Sequence, residues 1–471
     1  MDEEQLILIN KCYDDYISKK SHYDEINKYY YGNTDTLRGF KPREGRSNLK
    51  VNTNFEQKMI DEESQYSFSN DITYSSSVGD KQCIEDIKYN LKNNKEDHDN
   101  NLGTELVKMG VAYEINYYDK TSKTEYRFHN KIVSALDGYM YFEDDEPVYF
   151  LRMFKKQLDD NKDKVYVDVY SKEGIYHYDT TFSKELEPMT PNRLGIFPVG
   201  YGVVGGKMYS EERGYVEGDK TIHRTTKTLQ DAFETNFSDA VCEISDLRNA
   251  ILKIFGIEAK DKKDKDGNII FGPDGEPLKQ EPVVKENCIM LFGDKTSQDA
   301  EWLIKNINDT FIKNTRDDIK ELIYALNSHI DNNEKMQSNL SGIALRSRLQ
   351  SLESKCGMNE KAMANILKTR LECLFRFLYL TQSKEYDVNT IDIKFTPKVP
   401  TDVTAIADMI SKVVPSGVVS KETVRGLLPF VDNPVSEGKK VKKELKDELP
   451  GSSLDDETHT DEPIGGDGDE A

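Results

Sequence analysis

The stretch Glu334–Lys355, EKMQSNLSGIALRSRLQSLESK, sets a polar loop and a Ser-Gly pair directly before a helix with one apolar side. Apolar residues stand at Ile343, Leu345, Leu349 and Leu352 and continue through Met363, Leu367, Leu371, Leu374 and Leu378, at helical spacing. Ser341 can cap this helix, whereas Gly342 costs it up to ~1 kcal/mol of propensity relative to Ala. At ~1.5 Å per residue, about forty residues would span about 60 Å, so a bend near Gly357 is expected. The weak start needs a reason. Gly342 is either a hinge or a point of close helix packing.

Outward from this helix the pattern is regular. Upstream, Leu303, Ile307, Phe311, Ile319, Leu322 and Leu326 predict a helix over 300–330. Before it, ILKIFGIEA and CIMLFG flank DKKDKDGNIIFGPDGEPLKQ, whose two Asp-Gly turns predict a projecting hairpin. Another helix, 218–247, carries Ile222, Leu229, Phe233, Phe237, Val241, Ile244 and Leu247 on a narrow stripe. Two long helices joined by a small β island form a stalk with a tip. From Val111 to Thr181, short runs rich in Tyr, Val and Phe predict an antiparallel meander. Helices over 4–31 and 54–67 precede it, separated by the basic stretch RGFKPREGRSNLK. Downstream of the long helix come a strand, IDIKF, then Pro397 and Pro400. Three short helices follow, one near Thr401, one capped by Ser420 and one after Pro434. The class is α+β.

The 471 residues include 64 Lys and Arg against 85 Asp and Glu, a net charge of −21. Ten of the acids, and no Lys or Arg, fall between Asp447 and Ala471, a Gly- and Ser-rich segment predicted to be disordered. So acidic a chain is a poor partner for tight phosphate neutralisation and would let nucleic acid slide past rather than grip it. The six cysteines make no CxxC pair, which argues against a zinc site or disulfide framework and predicts a reducing compartment. The opening MDEEQLILINK lacks the order of a signal peptide, and no apolar run approaches the ~20 residues of a membrane helix.

The motif search yields no chemistry. GYGVVGG places Gly200, Gly202 and Gly205 at dinucleotide-loop spacing, but Pro198 interrupts the required strand and no helical stripe follows, so it reads as a flexible connector. DKDGN fails as a calcium loop, since Lys262 and Pro273 occupy its first and twelfth positions. Asp144 and Asp145 read as solvated, the seven histidines are scattered, and no GxxxxGK phosphate loop occurs. No catalytic residue, cofactor site or metal site is assigned.

Several strings, in order, resemble the portal proteins of long-tailed phages of Gram-positive hosts. They are YYYG (Tyr29–Gly32), RSNLKVNTNF, VKMGVAYEINYYD (Val107–Asp119), NRLGIFPV (Asn192–Val199), LQDAFETNFSDA (Leu229–Ala240), LSGIALRSRLQSLESK (Leu340–Lys355), IDIKFTPKVPTD and VVSKETVRGLLPFVDN. Two departures are SFSNDITY (Ser67–Tyr74), which lacks an expected Gly-Pro pair, and Arg346 in place of a usual Lys. The resemblance implies a homo-oligomeric ring, commonly twelve-fold, at one capsid vertex. Residues 1–217 would be the wing, 218–248 and 300–331 the stem, 249–299 the clip, and 332–341 the tunnel loop. Residues 342–400 would be the long bent wing helix and returning strand, 401–446 the helical crown, and 447–471 the acidic tail. It further implies nucleation of capsid assembly and docking of the terminase large subunit and later the head-tail adaptor, with major capsid and scaffolding proteins as neighbours. Double-stranded DNA would pass both ways without sequence preference, in the host cytoplasm during assembly and in the virion, with no membrane partner. On this reading Lys335, Gln337, Ser338 and Asn339 face the DNA, and Gly342 and Gly357 are hinges. Leu229, Phe233, Phe237, Val241 and Ile244 meet the neighbouring subunit, and Lys262, Lys265, Asp274 and Glu276 dock the motor or adaptor. A helical adaptor that forms no ring, or a soluble hydrolase with dispersed carboxylates, would also fit the composition, and assembly size separates them from the portal.

Overall fold

The computed structural model describes residues 1–39, 47–92, 94, 96–122, 125–156, 164–205, 208–210, 214–216, 220–247, 251–257, 260–280, 284–285, 288–292, 300–303, 309–331, 342–396, 410–412, 414–415, 417, 419–425, 428 and 434–448. It comprises two units, Met1–Asn339 with Leu345–Lys398, and Leu340–Ala344 with Val399–Ala471.

The first unit opens with α1 (Glu3–Tyr30), started by a reciprocal capping box between Asp2 and Gln5. Next come α2 (Asp35–Gly39), α3 (Phe55–Phe68) and β1 (Thr73–Ser76). Two helices that the sequence reading passes over follow, α4 (Lys81–Leu91), capped by Asp80, and α5 (His98–Met109). The predicted meander is two sheets. β2 (Val111–Lys120) is the middle strand of the first, between β3 (Tyr126–Ser134) and β9 (Val199–Val203). The second runs in chain order through β4 (Gly138–Glu143), β5 (Glu146–Phe154), β6 (Tyr166–Tyr170), β7 (Gly174–Asp179) and β8 (Glu187–Pro191). Alternation alone does not reveal this split, because β2 is buried at every position from Val111 to Asn116.

β9 corrects the connector reading of GYGVVGG. Its residues pair with β2, Val111 to Val203 and Ala112 to Gly202. A Cβ on Gly202 would lie 2.5 Å from the Ala362 carbonyl, and one on Gly200 would lie 3.0 Å from Ile366. These glycines admit a helix onto the strand rather than loosening the backbone.

A small hairpin, β10 (Met208–Ser210) and β11 (Gly214–Val216), leads to α6 (Ile222–Leu247). The β island is a four-stranded sheet of β12 (Ile251–Ile257), β13 (Val284–Lys285), β14 (Cys288–Phe292) and β15 (Ala300–Leu303), in the order β13-β14-β12-β15. β15 corrects the start of the following helix. Ala300–Leu303 pairs antiparallel with Ile251–Ile254, strand pairing overrides local propensity there, and the helix α7 is described over Asp309–Leu326. The long helix is α8 (Gly342–Gln382), continuous through Gly357. β16 (Ile391–Lys394) then pairs with β1. One core gathers Met59, Ile60, Leu106, Phe233, Ile323, Met363 and Leu367 from α3, α5, α6, α7 and α8.

The second unit contains α9 (Lys421–Arg425) and α10 (Pro434–Glu448), the latter opening on a proline, where a missing N–H costs nothing. The helix expected near Thr401 and the acidic segment after Glu448 lie outside the described residues.

Candidate functional site

The site is the α6–α7 pair with the N-terminal segments that fasten it and the β island between its two helices. The face of α6 toward the wing is polar and buried: Thr226, Gln230, Glu234 and Ser238 are each 0% exposed, and Cys242 is 8%. These positions are four residues apart. The chain at 47–56 runs antiparallel along them. Leu49 N donates to Cys242 Sγ (3.2 Å), Val51 N to Ser238 Oγ (3.0 Å) and Thr53 N to Glu234 Oε1 (3.1 Å). Glu56 N then donates to Gln230 Oε1 (3.0 Å).

The geometry explains the fit. Two residues of extended chain advance ~6.6 Å, and four residues of helix advance ~6.0 Å. Over 49–53 every second amide therefore meets an acceptor, and α6 stands in for a neighbouring strand. Thr34 Oγ1 adds a 2.6 Å bond to Glu234 Oε2, and Tyr29 Oη one of 2.8 Å to Asp231 Oδ2. Helix α6 and the N-terminal segments bonded to it are thus one body. Ser238→Ala removes one such bond and is expected to cost about 1 kcal/mol. Urea denaturation measures that cost, and faster hydrogen exchange at the Val51 amide would place it on the strap.

The long helix is tied to the same body by charge. Arg370 Nε and Nη2 donate to Glu114 Oε2 and Oε1, both at 2.7 Å, and both residues are 0% exposed. His98 Nε2 lies 2.7 Å from Glu114 Oε1. Arg370 Nη1 is 2.7 Å from Asp99 Oδ1, a charge contact without hydrogen-bond alignment. Burial pushes the Glu114 carboxyl up, but the Arg370 charge and the bonds from His98 and Arg370 outweigh it, and its pKa lies below the ordinary value. Nearer the start of α8, Lys355 Nζ contacts Glu63 Oε1 at 2.6 Å, and Asn359 Nδ2 donates to Glu63 Oε2 at 2.9 Å.

The residues assigned to a subunit contact divide. Phe233 is 6% exposed and sits in the chain's own core, with Leu229 and Phe237 packed against it. The Phe237 ring lies 6.1 Å from that of Phe233 and 5.0 Å from the Arg316 guanidinium. The stripe is real, but it serves α6 against α3, α5, α7 and α8, so Phe233 has little surface left for a neighbour. Val241 is half-buried. Ile244 is 64% exposed, and on α7 Leu322 (49%) and Leu326 (58%) face away from Ile323, which is fully buried. At i and i+4 they share one face.

At the tip, the expected hairpin is a three-way β junction. Gln280 N donates to Lys260 O, and Asp261 pairs with Lys279 to close its base. Asp264–Asn268 and Gly272–Glu276 form two turned lobes, with Gly267 and Gly275 at φ +89° and +79°. At the centre, three residues set at eight-residue intervals bond in a cycle: Lys262 N to Leu278 O, Leu278 N to Ile270 O, and Ile270 N to Lys262 O. The missed signal is the eight-residue repeat of Asp-Gly, at Asp266 and Asp274. Lys262, Lys265, Asp274 and Glu276 are all exposed on this junction, beside Phe271 (59% exposed).

The tunnel-loop residues Lys335, Gln337, Ser338 and Asn339 lie outside the described residues. Gly342 is the first residue of α8. A Cβ on Gly357 would meet nothing within 4 Å, so packing does not demand glycine there. Among the described residues no cluster of His, Cys, Asp and Glu could hold a metal ion, and no helix is long and apolar enough to cross a membrane.

Among solved structures, a chain from the neck of an empty gene transfer agent particle computed with C6 symmetry is 11% identical, with 79% of this chain and 87% of that one covered and a TM-score of 0.37. A chain from the virion of a native gene transfer agent particle is 10% identical, with coverages of 82% and 94% and a TM-score of 0.39. Both are distant likenesses. No curated protein matches the chain. The family model described as phage portal protein, SPP1 Gp6-like, matches residues 9–451. A match of that extent makes this chain a member of the phage portal protein family.

Proposed function

We propose that copies of this chain close into a ring around a DNA channel at one capsid vertex, through which the genome is packaged and later ejected. One observation carries the reading beyond family membership. Ile244, Leu322 and Leu326 are exposed apolar side chains on the two stem helices, whose opposite sides are already committed to their own core. Closed cyclic symmetry gives each such face a partner on the next copy. The acidic balance of the chain then favours a wall along which DNA slides. The ring serves as a structural channel rather than an enzyme, and it nucleates capsid assembly. Electron micrographs of the purified chain test this: annular particles with a central hole support it, and compact particles at all concentrations oppose it.

The three-way junction is the proposed docking point for the terminase large subunit and then the head-tail adaptor. It closes on its own backbone bonds and buries little, so removing 260–280 and joining its ends through a short Gly-Ser link should leave the thermal midpoint within ~2 °C of the parent. The expected loss is in DNA packaging, scored as filled heads. Normal packaging by this variant would reject the docking assignment.

A further inference from the structure

The wing carries an open pocket of about 390 Å³ between α1, β3 and β5, outside both stem and tip. Lys20, Lys131, Arg152 and Lys155 line it, and Asp137 is the acid among its lining residues. Such a concentration of cations runs against a chain of net charge −21. Among the described residues, neither Lys20 nor Lys131 has an ion-pair partner within 4 Å, and Lys20 stands instead 5.6 Å from the centre of the Tyr16 ring. Arg152 reaches Asp168 Oδ2 at only 3.6 Å, while His177 Nδ1 takes the other oxygen, Oδ1, at 2.7 Å. Burial and then the Arg152 charge pull the Lys131 ammonium below its ordinary value, with Asp168 opposing. Val133, Met153 and Val165 complete the wall. Like charges held together beside apolar atoms gain from an anion that neutralises them, and the volume suits a small group rather than a duplex.

We propose that this cavity binds a phosphate group, held by Lys20, Lys131 and Arg152 and backed by the Ser134 hydroxyl. The group is either free phosphate or one phosphodiester of DNA passing the wing. Only the second source rests on the portal reading.

The test titrates inorganic phosphate into the full-length chain by calorimetry. The parent should bind saturably. Lys131→Gln and Lys20→Gln, which lose a charge at the surface and keep the fold, should each bind about ten-fold more weakly, as expected for one charge-assisted contact. Lys81→Gln, an exposed change on α4 away from the cavity, should bind as the parent does. A short blunt duplex that competes with phosphate identifies the phosphodiester as the source, and a duplex that does not compete identifies free phosphate. No saturable uptake by the parent, or unchanged affinity in Lys131→Gln, overturns the proposal. Ring assembly is scored separately on the same samples, so rings without phosphate binding defeat this site alone, and binding by a chain that forms no ring defeats only the ring.

Discussion

Arg370→Met is expected to cost about 3–5 kcal/mol, because it leaves the Glu114 carboxylate buried with its charge unmatched. Neither residue has any exposure, so water cannot take the place of the lost guanidinium. His98 remains 2.7 Å from Glu114, and its ring offers one hydrogen bond in place of the two from Arg370, so it recovers only part of the loss. The damage should spread beyond the point of change, since the pair joins α8 to β2 and α5 through one side chain. Pairing the change with Glu114→Leu should restore most of the stability, because two apolar groups of similar volume need no partner. Urea midpoints of the parent, both single variants and the double variant measure the coupling directly.

Acid provides an independent check with a definite sign. The folded Glu114 carboxyl lies below its ordinary value of 4.5, so this group adds stability above that value and loses it as pH falls through the lower folded value. In Arg370→Met the same carboxyl is buried without its cation, which raises its pKa above the ordinary range and reverses the slope. The stability gap between parent and variant should therefore narrow from pH 7 to pH 4. A gap that stays constant would show that the pair is not ionised as described.

The second large effect is on assembly. Leu322→Asp combined with Leu326→Asp should leave the isolated chain folded, because both side chains are about half or more exposed and the core-facing Ile323 is untouched. In a ring the same positions would bury unpaired carboxylates at several kcal/mol per contact, repeated at every interface. The expected outcome is a folded chain that forms no rings. Phe237→Asp, which the apolar stripe alone would recommend, is a poor test, since Phe237 packs on Phe233 inside the chain and its loss would damage the subunit itself.

The contrast between Phe237 and Leu326 shows where sequence reading stops. Apolar periodicity located α6, α7 and α8 to within a few residues at most ends, because burial of one side is written at helical spacing. It could not say which apolar side chains face their own chain and which face outward, since both kinds obey the same period. It also passed over the polar seam of Gln230, Glu234 and Ser238, where the strap 47–56 supplies the donors. A helix buried on a polar face needs a partner segment from about 180 residues away, and no local pattern records that. The Asp-Gly turns of the tip were legible because φ > 0 restricts the residue type, but their cyclic closure depends on bonds between positions eight and sixteen apart. Gly200 and Gly202 misled for a related reason. Glycine marks both loose turns and close approach, and only the position of Ala362 and Ile366 distinguishes them.

The central claim is a closed ring, and its most direct test is the mass of the purified assembly by light scattering coupled to size exclusion. A twelve-fold ring of a 54.0 kDa chain would weigh about 650 kDa. The account predicts a single species of several hundred kilodaltons, an integer multiple of the chain mass, that the Leu322→Asp, Leu326→Asp variant reduces to one chain. A parent protein that remains at one or two chain masses across the accessible concentration range would contradict it.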